Sequence, residues 1–224
     1  MITVKNITKE FQNGDVLTKV LRNVSLEIHS GEFVAIMGKS GAGKSTLMYQ
    51  MSLLDHPTTG DIIVDGQMVT QLSHDDRTKF RLDNLGYIFQ DYALVPELTA
   101  VENIMVPLLM QGKTEEEALR IAQTSLANIG LSHRENNLPS QMSGGEQQRV
   151  SIARAVAHNP KILFADEPTA NLDNISSEAV MEIFKSLHHQ GQTIVMVTHE
   201  QEYTKYCDRV IYLSDGQIIE PKNP

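Results

Sequence analysis

Residues Gly38-Lys39-Ser40-Gly41-Ala42-Gly43-Lys44-Ser45-Thr46 have the types and spacing of a phosphate cradle, Gly-x-x-x-x-Gly-Lys-Ser. Glycines let the backbone curl until successive N–H groups face one concavity, and a helix opening near Lys44 adds the positive end of its dipole. Lys44 suits the outer phosphates, and the Ser45 hydroxyl suits a magnesium ion. A second segment, Lys161 to Pro168, runs through Ile162-Leu163-Phe164-Ala165 and ends on two carboxylates, Asp166 and Glu167. Ligands of open α/β sheets gather at that end of the strands. Alternation along a strand sends neighbouring side chains to opposite faces, so the two acids can divide the work. Asp166 is assigned to the magnesium ion and Glu167 to water activation as general base. A third segment, Ser143-Gly144-Gly145-Glu146, opens a helix. Alone it reads as a plain serine cap; beside the other two it reads as a second anion cradle. The chemistry implied is binding of ATP or GTP and cleavage by water.

Elements able to hold these residues follow from the pattern of apolar residues. Phe33 to Met37 is a strand feeding the glycine loop, and Lys44 to about Leu54 is the helix leaving it. Strands are also expected at Ile2 to Ile7, Val24 to Ile28, Ile62 to Val64, Leu85 to Phe89 (ending at Gln90), Ile162 to Ala165 and Thr193 to Val197. A closing hairpin joins Arg209–Leu213 to Gln217–Ile219 through Asp215-Gly216. From Asp91 to about Gln141 the character turns helical, with Ala100 to Gln111 and Thr114 to Ile129 as helices. Thr114 and Glu117 form a capping box there, and Gly130 is the stop. Further helices are expected at Glu146 to Ala157 and Ser176 to His189. Strands alternating with helices imply an α/β core.

Bulk properties narrow the class. A chain of 224 residues, 41% hydrophobic and 21% charged, holds one core with room for a smaller subdomain. Its longest apolar run, Ile104 to Met110, is interrupted by Pro107 and falls far short of the roughly 20 residues that cross a bilayer. Met1 to Asn6 lacks the layout of a secretion signal. The single cysteine, Cys207, is read as a helix residue and fits a reducing compartment. A net charge of −9 argues against a broad nucleic-acid surface. Glu115 to Glu117 reads as an acidic helix start, and His188-His189 as a solvated pair.

The order of these segments is glycine loop, Gln90, Ser143-Gly144-Gly145, Asp166-Glu167, Asn171-Leu172-Asp173 and His199. It resembles the ATP-binding-cassette (ABC) ATPase family over essentially the whole chain. Met142 and Glu146 depart from the family's usual Leu and Gln, the first keeping an apolar plug and the second matching one subgroup. The resemblance implies a P-loop NTPase core, a mostly parallel sheet flanked by helices, with an N-terminal antiparallel β subdomain. It implies a single domain over 1–224, with a helical subdomain at about 91–145 inserted in the nucleotide-binding core. It further implies that Gln90 senses magnesium and the attacking water and that His199 contacts the γ-phosphate. Asp173 would bridge two subunits, and Phe11 would stack on adenine. Two copies would close head to tail on ATP and Mg2+, each phosphate loop facing the other copy's Ser143–Glu146, and drive an integral-membrane permease.

Gly31 to Gly38, Met142 to Ala155, and Leu85 to Gln90 leading to Val101-Glu102-Asn103 resemble one subgroup: cassettes of the macrolide-exporter and lipoprotein-releasing type, also similar to the cell-division type. That resemblance implies export or extrusion, with the chain held by its permease at the cytoplasmic face of the membrane. The competing reading is an ATPase that regulates a membrane partner without moving cargo. A nucleic-acid-handling cassette would carry paired cassettes, long coiled coils or basic insertions, and a GTP switch would lack the Ser143 and His199 pattern. Cargo recognition belongs to the permease, another chain.

Overall fold

The structure, a computed structural model, describes residues 1–14 and 16–220. Two sheets and six helices form its layers among these residues. The larger sheet has the order β10-β9-β3-β8-β7-β6. Its strands are β3 (Phe33–Met37), β6 (Leu85–Ile88), β7 (Ile162–Asp166), β8 (Thr193–Val197), β9 (Arg209–Ser214) and β10 (Gln217–Ile219). All neighbours run parallel except the β9–β10 hairpin. β3, β7 and β8 are buried along their full length. This is why they read as unbroken apolar runs: helices or the other sheet cover both faces of a parallel sheet.

The smaller sheet is antiparallel, in the order β2-β1-β4-β5. β1 (Ile2–Asn13) and β2 (Val16–Ile28) are much longer than their apolar patches suggest, because the half toward Phe11 and Thr18 is exposed on both faces and lacks alternation. The sheet is not purely N-terminal. β4 (Thr59–Val64) and β5 (Gln67–Met68) join it after the chain has passed through β3 and α1 (Lys44–Met51).

Strand alternation divides the apolar residues between two cores. Val34 and Ile36 face a cluster with Ile2, Ile7, Ile28, Leu47 and Met51, so α1 is packed between the sheets. Phe33 and Ala35 face the opposite side, against Ile152 and the helix α6 (Asn174–His189) through Val180, Met181 and Phe184. A third cluster joins α3 (Ala100–Met110) and α4 (Glu115–Asn128) to Val150 and Ala153 of α5 (Gly144–Val156). α5 is therefore a shared wall, with Ile152 and Ala155 on the sheet side and Val150 and Ala153 on the helical side.

Two local readings need correction, and one helix goes unread. α2 (His74–Asn84) was not signalled by periodicity, since its apolar residues are few; a Ser73 cap accepting from the Asp76 N–H starts it. Cys207 lies just beyond a short 3-10 turn, Gln201–Tyr206, not in a helix, and burial pushes its thiol up to about 12. His188 is not solvated: its Nε2 lies 3.0 Å from both the Gly31 carbonyl oxygen and Asp208 Oδ2, and the ring packs edge-on to Phe33. Among the described residues no helix is long and apolar enough to cross a membrane.

Candidate active site

The glycine loop connects β3 to α1 at the C-terminal edge of the parallel strands. Gly43 caps α1 at φ 98°, a left-handed conformation, and a Cβ there would lie 3.0 Å from the Val20 carbonyl oxygen. Only glycine fits that position. The loop is braced by the Ala42 N–H on Lys39 O (3.1 Å) and by the Gly216 N–H on Ala42 O (3.1 Å). α1 has no side-chain cap and no acid in its first turn, so its free N–H groups and dipole face the loop uncompensated. Lys39, Ser40 and Gly41 are exposed on the rim, Gly38 is half-buried, and Thr46 is half-buried in the first turn of α1. Lys44 is only 7% exposed. Its Nζ donates to the carbonyls of Gly38 (3.0 Å) and Lys39 (3.2 Å), neutral acceptors, and its charge also reaches the Asp166 carboxyl.

β7, two strands from β3, delivers the acids to the same edge. Ser45 Oγ donates to Asp166 Oδ1 at 3.0 Å. Burial pushes the Asp166 carboxyl up, the Ser45 hydrogen bond opposes this, and the neighbouring Glu167 charge adds to it. Glu167 diverges from Asp166 by a different device than strand alternation. β7 ends at Asp166, and Glu167 adopts φ 45° with its N–H on Val197 O at 2.9 Å. A left-handed residue with a Cβ costs roughly 1–2 kcal/mol. There the Glu167 carboxylate meets His199 from the end of β8, Oε2 to Nδ1 3.2 Å.

The remaining sequence-derived residues lie apart from this cluster. Ser143 caps α5 in a full capping box: Glu146 Oε2 accepts from the Ser143 N–H at 2.8 Å, and Glu146 Oε1 accepts from Arg134 Nε at 2.9 Å. The charge-assisted Arg134 pairing suits a glutamate at this place. Gly145 is buried against α6, where a Cβ would sit 2.7 Å from Ser176 Oγ, and Gly144 faces the Tyr92 hydroxyl. No hydrogen bond among the described residues joins Ser143–Glu146 to the glycine loop. Asp173 is the N-cap of α6, accepting from Ser176 N and Oγ at 2.9 Å each, and the Ser176 N–H holds its carboxyl below the usual range. The Gln90 side chain is exposed in the turn after β6 and has no hydrogen bond among the described residues, while its carbonyl accepts from Asn171 Nδ2 at 3.1 Å. Phe11 lies on β1, 45% exposed, with Lys9 Nζ 4.8 Å above its ring centre.

Sequence reasoning missed the residues behind the site. Thr169 Oγ1 donates to Glu200 Oε2 at 2.6 Å, tying the turn after Glu167 to the residue after His199. Gln148 Nε2 donates to Pro168 O at 2.8 Å from within α5. Tyr87 on β6 has its hydroxyl pushed up by burial and by the Asp166 charge. None belongs to a motif of phosphate chemistry, and only burial and long-range pairing identify them.

A magnesium–triphosphate fits these residues. The Lys44 ammonium, hydrogen-bonded only to carbonyls, and the open α1 terminus call for anionic oxygens, while the Ser45 hydroxyl and Asp166 carboxylate are hard donors of the kind magnesium takes. Comparison with known proteins agrees. The family model described as ABC transporter matches residues 21–170. An uncharacterized ABC transporter ATP-binding protein of Methanocaldococcus jannaschii is 48% identical over 98% of this chain and 98% of its own length. The macrolide export ATP-binding/permease protein MacB of Pasteurella multocida is 43% identical over 98% of this chain, which spans only 34% of MacB. A solved dimeric structure of the ATP-binding cassette MJ0796, in a post-hydrolysis state with ADP and Pi, superposes with a TM-score of 0.92 at 41% identity, covering 98% of this chain and 97% of that one. Glycine loop, paired acids and capped α5 thus sit on a shared architecture, and the chain belongs to the ABC transporter family, among its ATP-binding proteins.

Proposed function

We propose that this chain is the ATP-hydrolysing subunit of a membrane exporter of the macrolide-exporter or lipoprotein-releasing type. It works as a head-to-tail dimer bound through its permease to the cytoplasmic face of the membrane. It acts as one domain over 1–224, in which about 91–145 form a helical insertion. The observation that carries the reading is the pairing of Ser45 with Asp166 at 3.0 Å and of Glu167 with His199 at 3.2 Å, at the end of the sheet that bears the glycine loop. Likeness to MacB and to a dimeric cassette supports the exporter and dimer parts.

Each residue has a task in this reading. Residues Gly38 to Thr46 cradle the phosphates with backbone N–H groups, and Lys44 neutralises the outer ones. Ser45, Asp166 and Gln90 hold Mg2+, which when bound neutralises charge on the phosphate oxygens. Glu167 takes the proton of the attacking water. His199 orients Glu167 and donates to the γ-phosphate. Phe11 stacks on adenine. Ser143, Gly144, Gly145 and Glu146 serve the nucleotide held by the other copy, and Asp173 crosses between copies. Closing follows from ATP binding the dimeric state more tightly than the open one.

The test is Glu167→Gln. Turnover should fall by about 100-fold or more, as expected for loss of a general base, while Mg·ATP is retained and gel filtration shows an ATP-dependent dimer. Rapid hydrolysis by this variant would remove Glu167 from the role. ATPase stimulation by a candidate cargo in vesicles bearing the permease separates export from purely regulatory coupling.

A further inference from the structure

Arg154 lies on α5, eleven positions after Ser143, and is half-buried. Its hydrogen-bond partners among the described residues are two consecutive carbonyls: Nη2 donates to Tyr92 O at 3.0 Å and Nη1 to Ala93 O at 2.5 Å. Burial alone accounts for the depression of its pKa, so the charge is held by neutral acceptors rather than a carboxylate. Withdrawing a cation part-way from water without an anion is unfavourable and persists where its donors serve a geometry. The geometry here is unusual. Tyr92 and Ala93 sit at φ 59° and φ 49°, two successive left-handed residues that both carry a Cβ. They lie two and three residues after Gln90, and the other long-range holds on this turn come from Asn171, through its Nδ2 on Gln90 O and the Tyr92 hydroxyl on its own carbonyl.

We infer that Arg154 is a positioning residue that clamps the turn after Gln90 to the helix capped by Ser143. The planar fork of arginine suits two adjacent carbonyls at fixed separation. It holds the turn in a conformation that its own residues disfavour. Because α5 carries both Ser143 and Arg154, a rotation of α5 relative to the sheet moves the capped helix end and the Gln90 turn together. Gln90 then reaches the reaction centre only when α5 is in register, so Arg154 acts on turnover through Gln90 and touches no substrate.

The chain has no tryptophan, so Phe89→Trp places a single tryptophan emitter beside Gln90, read with excitation beyond the tyrosine band. In that background Arg154→Ala should raise acrylamide quenching of the emitter about two-fold or more, with nucleotide absent. This arm is independent of the ATPase reading. The kinetic arm rests on it: kcat should fall about tenfold or more while KM and Mg·ATP affinity stay within about twofold, the pattern of a lost transition-state contact. Adding Ala93→Gly, which takes a left-handed φ without strain, should recover about threefold or more of the lost kcat. Where Arg154→Ala does not fold, Arg154→Lys carries the test, since one ammonium cannot hold both carbonyls in a fork and should give an intermediate change. Unchanged quenching in folded Arg154→Ala or Arg154→Lys would overturn the clamp. A turnover loss that follows only the unfolded fraction, or that Ala93→Gly leaves untouched, would do the same. Wild-type protein without Mg·ATPase activity would instead defeat the functional reading and leave the quenching result standing.

Discussion

In the proposed mechanism Lys44 and Glu167 are single residues held ready for work at some cost to the fold. Lys44 keeps its ammonium on two carbonyls and is hydrogen-bonded to no carboxylate among the described residues, an arrangement that favours an incoming anion. Charge-assisted hydrogen bonds of this kind contribute about 1.5–3 kcal/mol each. Lys44→Ala should therefore weaken ATP binding about tenfold or more and reduce turnover with it, measured by equilibrium titration with Mg·ATP. Its partners are loop carbonyls rather than core groups, so circular dichroism of the variant should be unchanged. Unchanged ATP affinity would count against the cradle. Glu167 is strained in the opposite sense, since its left-handed backbone is what turns its carboxylate to His199. Alternation along β7 correctly assigns the two acids to different directions, but the reason is this backbone turn, which residue types do not announce.

At the scale of one element, α5 is the most consequential. Its capping box, its Arg134 pairing and the close approach of Gly145 to Ser176 fix where the Ser143 end points. Ser143→Ala should destabilise the chain by about 1 kcal/mol through loss of the cap, read from urea unfolding. The pH dependence follows from Glu146. The Ser143 N–H holds its carboxyl below the ordinary glutamate range, burial opposes this, and Arg134 adds to the lowering. A carboxyl depressed in the folded state stabilises above its unfolded pKa, about 4.3, and that contribution is lost as pH falls through the folded value. Tm measured between about pH 3 and 6 should thus fall less steeply on the acid side for Glu146→Gln than for the wild type. Equal slopes would mean that the capping box is not formed in solution. α5 itself is legible from its serine, glycines and apolar spacing. α2 is not, because a polar helix held by Arg77 on Leu53 O and Asp55 O leaves little periodicity to read.

Over the whole molecule, two sheets enclose α1, and the helical cluster meets them through α5. Nucleotide bound at the glycine loop therefore touches the helix packed between both sheets. Mg·ATP at about 100 times its Kd should stabilise Glu167→Gln by ~2.7 kcal/mol, raising Tm by roughly 5–10 °C for a chain of this size. Differential scanning calorimetry checks this, with Lys44→Ala at the same Mg·ATP concentration showing about half that shift or less. A dimer forming in parallel would make the shift depend on protein concentration.

The chemistry and the order of its parts are written in the sequence alone. A glycine loop presents its own N–H groups, a buried parallel strand is apolar throughout, and a serine cap lies three residues from its glutamate; each is a local relation. Even the hairpin at Asp215-Gly216 and the helices at Thr114 and Ser143 follow from neighbours along the chain. Which distant groups meet is another matter. Ser45 finds Asp166 across 121 positions, Glu167 finds His199, and Arg154 finds Tyr92 and Ala93. β4 and β5 return to a sheet the chain had already left, and His188 is drawn in against Gly31 and Asp208. Only the tertiary structure decides these pairings. They depend on the strand order and on how helices seat against the sheets, and the free energy that selects them comes from packing between segments rather than from preferences within any one of them.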